Sequence, residues 1–199
     1  MSVRNKIIIL VLFLIVISKS IYFQKWSEHN KIASVSNSFK GKTDSLIQLS
    51  VLLNSLQLNT DTLKQLVNKE FVTTKEKYGN RLGIGESAYF LVSTNAVIQS
   101  MQDGKWELSD GSIIDTKYIF GNEIRDASRF VHLEDYTSQN DLNAFTEYLN
   151  NYIRDEKIPN EIKDVHVGDK VSIVGACEVH PYNLPLQHLY IYPITIKKQ

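Results

Sequence analysis

An uninterrupted apolar run near the N-terminus most constrains what this chain can become. Residues 7–17 read IIILVLFLIVI and follow Arg4 and Lys6. This length is typical of a signal-peptide core, whereas an uncleaved anchor needs about 20 apolar residues and would extend to Phe23. A buried core helix is disfavoured, because globular helices seldom lack polar positions for three turns. We therefore expect residues 1–23 to be a signal anchor or a signal peptide.

The location of the rest of the chain follows from this segment. If it stays uncleaved, residues 7–23 cross the cell membrane as a single pass and hold the C-terminal domain on the extracytoplasmic, periplasmic side. If it is cleaved, the domain is secreted into the same compartment. Both alternatives place the bulk of the chain outside the cytoplasm.

Charge and cysteine content exclude several classes of function. Three basic residues and no acidic residue lie among the first 20, so their removal from 22 basic and 22 acidic residues leaves a formal net charge of −3. That balance is not typical of nucleic-acid binding, and we expect no nucleic-acid partner. Cys177 is the only cysteine, which excludes an intramolecular disulfide or a multi-cysteine zinc site.

Two helices are predicted after a polar linker at residues 24–42. In the first, from Thr43 to near Asn59, leucines recur at helical spacing on one face. Thr60 and Asp61 can cap the second helix, whose apolar and polar side chains also separate onto opposite faces. We expect a helical hairpin over residues 43–80.

The remainder of the chain alternates strands with one helix. Five stretches have the composition or alternation of strands: residues 87–101, 106–108, 113–120, 170–179 and 188–198. A bulge is expected in the first near Thr94–Asn95. Ser138 can cap a helix over residues 139–154.

This order predicts an α+β fold with a five-stranded OB-like β-barrel over residues 86–198. In that architecture a helix lies between strands 3 and 4. Other small barrels and α+β sandwiches could carry the same order of elements.

Several short motifs give the chain a resemblance to a known family. They are Tyr78-Gly79, the triplet Arg125-Asp126-Ala127, the run FVHLEDYTSQ at residues 130–139, and residues 167–171 leading to Gly175. In their order and spacing they resemble a bacterial family of predicted periplasmic lipoproteins of unknown function. The resemblance implies an exported accessory protein, often encoded near sugar-type ABC transport systems, and no established activity. The chain departs from the lipoprotein members because it has no cysteine just after the apolar run.

Residues that could carry chemistry are few. The sequence has no nucleophile elbow, metalloprotease motif or phosphate loop, so we expect neither an enzyme nor a cofactor. Its five histidines have no metal-ligand spacing, and no metal site is predicted. Arg125 and Asp126 could hold a sugar hydroxyl or a carboxylate, or they could attach their loop to neighbouring backbone; Gln139 could serve either purpose.

Three tyrosines complete the candidate binding residues. Tyr118, Tyr190 and Tyr192 could form an aromatic strip on the barrel face, because tyrosine is favoured at partner interfaces and for stacking on sugars. They could equally belong to the barrel core.

Two functional hypotheses follow. The first is a membrane-tethered extracytoplasmic accessory or interaction protein, with ABC transporter subunits or a solute-binding protein as possible partners. The alternative is a small-ligand binding domain that holds a sugar or an anion on the barrel face.

Overall fold

The computed structural model describes residues 38–52 and 57–199, and the chain divides into two units, residues 1–42 and 43–199. In the first unit, the described residues 38–42 are helical, although they fall within the predicted linker. The predicted membrane segment, residues 1–23, lies outside the described residues. Within those that are described, no helix combines the length and the hydrophobicity needed to cross a bilayer.

The second unit begins with two helices. Helix α1 covers residues 43–52, and α2 covers Thr60–Tyr78 with a kink at Glu70. The predicted extension of α1 to Asn59 is wrong, because Leu58–Asn59 form a short strand, β1. The Asn59 side chain accepts a hydrogen bond from the Asp61 N–H (3.0 Å) and caps α2. The hairpin arrangement of the two helices stays a prediction.

Within the described residues, five further strands form a closed ring. Their bounds are Ala88–Gln102 (β2), Lys105–Leu108 (β3), Ile113–Asp115 (β4), Lys170–Val179 (β5) and Tyr190–Lys198 (β6). Helix α2 contacts β2 of this ring. Hydrogen bonding follows the order β2-β3-β4-β6-β5 and returns from β5 to β2. Only the β4–β6 pairing is parallel within this ring, and β1 adds a parallel strand to the edge of β2. The predicted succession of three strands, a helical segment and two strands is confirmed.

Between β4 and β5 the chain forms several helices joined by loops. Helix α3 covers Glu123–Ser128 and α4 covers Gln139–Asn151, after which a π-helical turn, Tyr152–Lys157, leads into α5, Ile158–Glu161. The predicted cap is confirmed, since the Ser138 side chain accepts the Asp141 N–H. Helix α3, which the sequence pattern did not indicate, packs against β2 and β5.

Two strand predictions differ from the structure. The third strand was expected to reach Phe120 but ends at Asp115, because the Asp115 carboxylate accepts hydrogen bonds from the N–H groups of Lys117 (3.1 Å) and Tyr118 (2.8 Å). That turn removes the donors that a longer strand would need. The irregularity in β2 lies between Ile98 and Ser100, where its pairing with β3 shifts, rather than near Thr94–Asn95.

The core lies inside the ring and under the helices that follow β4. Its largest fully buried side chains include Phe90, Leu108, Ile114, Phe145 and Leu149. Cys177 belongs to this core. Burial raises the pKa of its thiol well above the ordinary value, so the sulfur stays protonated and unreactive.

The turn between β3 and β4 is fixed by Asp110. Its carboxylate accepts hydrogen bonds from the hydroxyls of Thr94 (2.7 Å) and Thr60 (2.8 Å) and from the Ser112 N–H (2.9 Å). Burial raises the pKa of Asp110, but these hydrogen bonds lower it further, and the result lies below the ordinary value. The ionised carboxylate therefore joins the starts of α2 and β4 to β2.

An Asp110→Asn variant is expected to lose about 1–2 kcal/mol of unfolding free energy near neutral pH, since it loses charge-assisted hydrogen bonds. The pKa of Asp110 is lower in the folded protein than in the unfolded chain, so the ionised carboxylate stabilises the fold. This stabilisation is complete above the unfolded pKa of about 4 and is lost as the pH falls through the folded pKa. Urea unfolding should therefore show the difference from wild type shrinking toward about pH 3. The control is Asp103→Asn, an exposed carboxylate paired with Lys117, which should change little at either pH. A constant difference between Asp110→Asn and wild type would contradict the explanation.

Candidate functional site

The most strongly buried charged groups belong to α3. Arg125 and Asp126 are 4% and 1% exposed. The Arg125 Nε–H donates to Asp126 Oδ1 (2.7 Å), and its Nη1–H donates to the Thr146 hydroxyl (2.9 Å). That hydroxyl in turn donates to the Leu142 carbonyl on α4 (2.7 Å). The guanidinium is thus fixed between α3 and α4.

Asp126 also attaches α3 to the segment that precedes β2. Its Oδ2 accepts the Leu82 N–H (3.0 Å), and its main-chain carbonyl accepts the Asn80 side-chain amide (2.8 Å). This is the attachment to neighbouring backbone that the sequence left open as one role of the Arg125–Asp126 pair. These hydrogen bonds also hold the pair in one geometry. Both oxygens of the Asp126 carboxylate accept a hydrogen bond, and the two bonds donated by Arg125 fix the plane of its guanidinium.

A cavity of about 160 Å³ opens beside the pair, and we call it the Arg125 pocket. Its lining residues are Arg81, Leu82, Gly83, Tyr89, Asn122, Arg125, Asp126, Leu133, Gln139 and Leu142. The volume is similar to that of a cavity of about 150 Å³ that holds benzene in another protein. Three of the sequence candidates, Arg125, Asp126 and Gln139, therefore meet at one pocket. It lies between the helical segment and the start of β2.

Hydrogen-bond donors of the Arg125 pocket remain available. Among the described residues, no group accepts a hydrogen bond from Nη2 of Arg125, and Nε of Arg81 is buried without a partner. Arg81 uses its Nη1 to contact Ser87, the Tyr89 hydroxyl (3.5 Å) and Glu178 (3.3 Å). Burial, followed by the charge of Glu178, raises the pKa of Tyr89 to about 12. Its phenol therefore stays protonated near neutral pH.

Arg81 and Tyr89 were not among the residues that the sequence analysis selected. Tyr89 lies in a strand whose pattern indicates core, and the position of Arg81 in a glycine-containing loop gave no hint of its neighbours. The one available signal was its place just after the Tyr78-Gly79 motif. Glu123, near the same cluster, has its pKa raised by burial and by the charges of Glu178 and Asp126.

The tyrosine candidates lie elsewhere, and two of the three are on the same strand. Tyr118 is outside any strand, in the loop after β4, because the Asp115 turn ends that strand early. Tyr190 and Tyr192 are two residues apart on β6 and share one of its faces. Burial, and then the charge of Glu123, raises the pKa of Tyr192. None of the three lines the Arg125 pocket.

No group of three or more histidine, cysteine or acidic side chains in residues 38–52 and 57–199 is placed to hold a metal ion. The chemistry available at the Arg125 pocket is therefore that of guanidinium, amide and phenol donors beside a committed carboxylate. Such an arrangement binds oxygen acceptors.

Comparisons with known proteins agree with the fold. Residues 10–197 match the family described as "Predicted periplasmic lipoprotein (DUF2291)". The structure is similar to the crystal structure of an OB-fold protein from Thermotoga maritima MSB8, with a TM-score of 0.68 and 17% sequence identity over 81% of this chain and 98% of the other. At that identity the likeness establishes the fold, and the predicted α+β, OB-like class is confirmed. No curated protein sequence matches this one.

Proposed function

We propose, from the premise that this chain belongs to the family of predicted periplasmic lipoproteins, that it is an extracytoplasmic accessory protein that binds a small carboxylate-bearing ligand. The family supports an extracytoplasmic, membrane-associated location. We propose residues 7–23 as the membrane anchor and the Arg125 pocket as the binding site. The absence of enzymatic activity stays a prediction.

The observation that carries the proposal is a buried guanidinium with an uncommitted end at a pocket. Arg125 is almost fully buried, and Nη2 has no acceptor among the described residues. Nη2 opens onto the pocket, so a ligand oxygen can accept its hydrogen bond. A carboxylate supplies such an oxygen and forms a charge-assisted hydrogen bond with the guanidinium.

Donors and size support a small anion. The lining residues include two guanidiniums, Arg81 and Arg125, and one carboxylate, Asp126. Arg81 is already paired with Glu178 (3.3 Å), so the donor of Arg125, and not a net positive charge, favours the anion. Both oxygens of Asp126 already accept hydrogen bonds, which leaves the donors for a ligand. The pocket volume of about 160 Å³ suits a ligand of roughly benzene's size or slightly larger.

The partners implied by the family resemblance, ABC transporter subunits or a solute-binding protein, stay a prediction. Crosslinking in cells of the tagged full-length chain, followed by mass spectrometry, tests it. Failure to enrich either class would contradict this part of the hypothesis.

Arg125→Lys is expected to weaken carboxylate binding about tenfold or more, because lysine keeps the charge but lacks the second arm of the guanidinium. The measurement is isothermal titration calorimetry of the detergent-purified full-length protein against acetate, lactate, succinate and malate. Circular dichroism checks that the variant is folded.

Arg154→Lys is the matched control, because Arg154 also pairs with the next residue, Asp155, but does not line the pocket. It should bind as wild type does. The proposal would be overturned if no carboxylate gives saturable heat, or if the Arg125 and Arg154 variants lose affinity equally.

A further inference from the structure

The residues that line the Arg125 pocket differ in burial, which divides the pocket into a floor and a rim. The floor consists of residues that are at most 7% exposed: Tyr89, Arg125, Asp126 and Leu142. The rim consists of exposed residues: Gly83, Asn122, Leu133 and Gln139. Arg81 and Leu82 are intermediate between the two sets. A ligand that binds the buried guanidinium therefore enters with that end first and leaves its other end beside the rim.

The floor offers one guanidinium to a ligand. Arg125 donates from Nε to Asp126 and from Nη1 to Thr146, while Nη2 opens onto the pocket. The second guanidinium of the lining is already matched by a charge, because Arg81 Nη1 lies 3.3 Å from Glu178. The free end of one guanidinium binds one carboxylate. The floor therefore suits a ligand with a single carboxylate.

The walls above the floor present apolar side chains to the other end of the ligand. Leu82 and Leu133 both line the pocket, and Leu133 is 50% exposed, so a ligand at the rim would remove part of it from water. Such removal of apolar surface is favourable in proportion to its area. The Gln139 amide at the rim donates to Asn143 (3.0 Å), which occupies its nitrogen. Small-molecule pockets commonly combine apolar walls with a few fixed polar groups in this way.

Acidic side chains around the pocket oppose a second negative charge. Asp126 lines the floor, and Glu178 pairs with Arg81. Glu123 directly follows the rim residue Asn122, and its pKa is raised by burial and also by the charges of Glu178 and Asp126. The three carboxylates are thus close enough to repel one another. A second ligand carboxylate at the rim would add to that repulsion.

We propose, on the basis of the carboxylate site proposed above, that the Arg125 pocket selects monocarboxylates with a short apolar chain over dicarboxylates. The ligand carboxylate accepts a hydrogen bond from Arg125 on the floor, and the hydrocarbon chain lies against Leu82 and Leu133. Leu133 is then a residue that determines specificity. The volume of about 160 Å³ admits an unbranched chain of a few carbon atoms.

The test compares ligands of equal chain length that differ only at the far end: butanoate with succinate, and pentanoate with glutarate. Isothermal titration calorimetry of the detergent-purified full-length protein measures each at neutral pH, where the dicarboxylates carry two charges. Pentanoate should bind at least about tenfold more tightly than either glutarate or acetate. Equal affinities within the two pairs, or equal affinities for acetate and pentanoate, would overturn the proposed selectivity.

Leu133→Asn separates the apolar contact from the carboxylate contact. Leu133 is half exposed, so a polar side chain of similar size should leave the domain folded, which circular dichroism checks. Pentanoate affinity should fall about threefold to tenfold, whereas acetate affinity should stay constant. Leu52→Asn, which replaces an exposed leucine outside the pocket, should change neither affinity. Wild-type pentanoate affinity in Leu133→Asn would contradict the role of Leu133.

The selectivity and the carboxylate site fail in different ways. If the site itself is wrong, no acid of the panel binds, or Arg125→Lys binds them all as wild type does. If only the selectivity is wrong, the monocarboxylates still bind and still depend on Arg125, but the dicarboxylates bind as tightly.

Discussion

Replacing Asp126 by alanine is expected to lower the unfolding free energy by about 3–5 kcal/mol, the largest loss among the charged positions discussed. The variant leaves the Arg125 guanidinium buried without its counter-charge. It also removes the acceptor of the Leu82 N–H, which fixes the segment before β2. Urea unfolding followed by far-ultraviolet circular dichroism measures the change.

The adjacent pair Arg154–Asp155 gives the matched control for this prediction. Its hydrogen bonds are as short, at 2.6–2.7 Å, but the Asp155 side chain is 56% exposed. Asp155→Ala should therefore cost less than about 1 kcal/mol. Equal losses in the two variants would show that burial of the pair is not what makes Asp126 important.

A double variant separates the charge from the packing. Arg125→Met combined with Asp126→Leu removes both charges and keeps much of the side-chain volume. Buried ion pairs are often replaceable by apolar groups with little loss, whereas removing one partner is costly. The double variant should be more stable than Asp126→Ala, and a double variant that is less stable would contradict the explanation.

Local signals in the sequence were sufficient to predict the capped helices and most of the strands. Ser138 before α4 and the alternation in β5 act over a few residues, and the structure has both where they were expected. The early end of β4 was missed because the Asp115 side chain forms a competing turn, which hydrophobic alternation does not encode. Closure of the ring depends on the β2–β5 register, which no local pattern fixes.

The candidate site was predictable only in part for the same reason. Arg125 and Asp126 are neighbours in sequence, and Gln139 lies in the same resemblance motif, so they could be selected together. Leu82, which binds the Asp126 carboxylate, is 44 residues away, and Arg81 comes from the same distant segment. Such contacts arise from tertiary packing.

Gly175→Val is expected to cost about 3 kcal/mol or more, because the ring closes too tightly there to accept a side chain. Gly175 lies on β5 at the irregularity in its pairing with β6, opposite Pro193. A Cβ at this position would lie 2.6 Å from Ile191 Cγ2 and 2.6 Å from the Tyr192 carbonyl oxygen. Backbone cannot yield as a flexible side chain does, so β5 and β6 would have to separate. Thermal and urea unfolding measure the loss.

Gly83→Val is the control for the steric clash at Gly175, since a Cβ at Gly83 would have no atom within 4 Å. Both changes add the same volume and the same β-branched restriction, so their difference isolates the contact between β5 and β6. Gly83→Val should change the unfolding free energy by less than about 1 kcal/mol. A small loss at Gly175 would mean that β6 can shift outward without affecting the rest of the ring. In that case the β5–β6 pairing would not be the rigid frame that α3 packs against, and the positioning of Arg125 would have to come from α4 and the Leu82 segment alone.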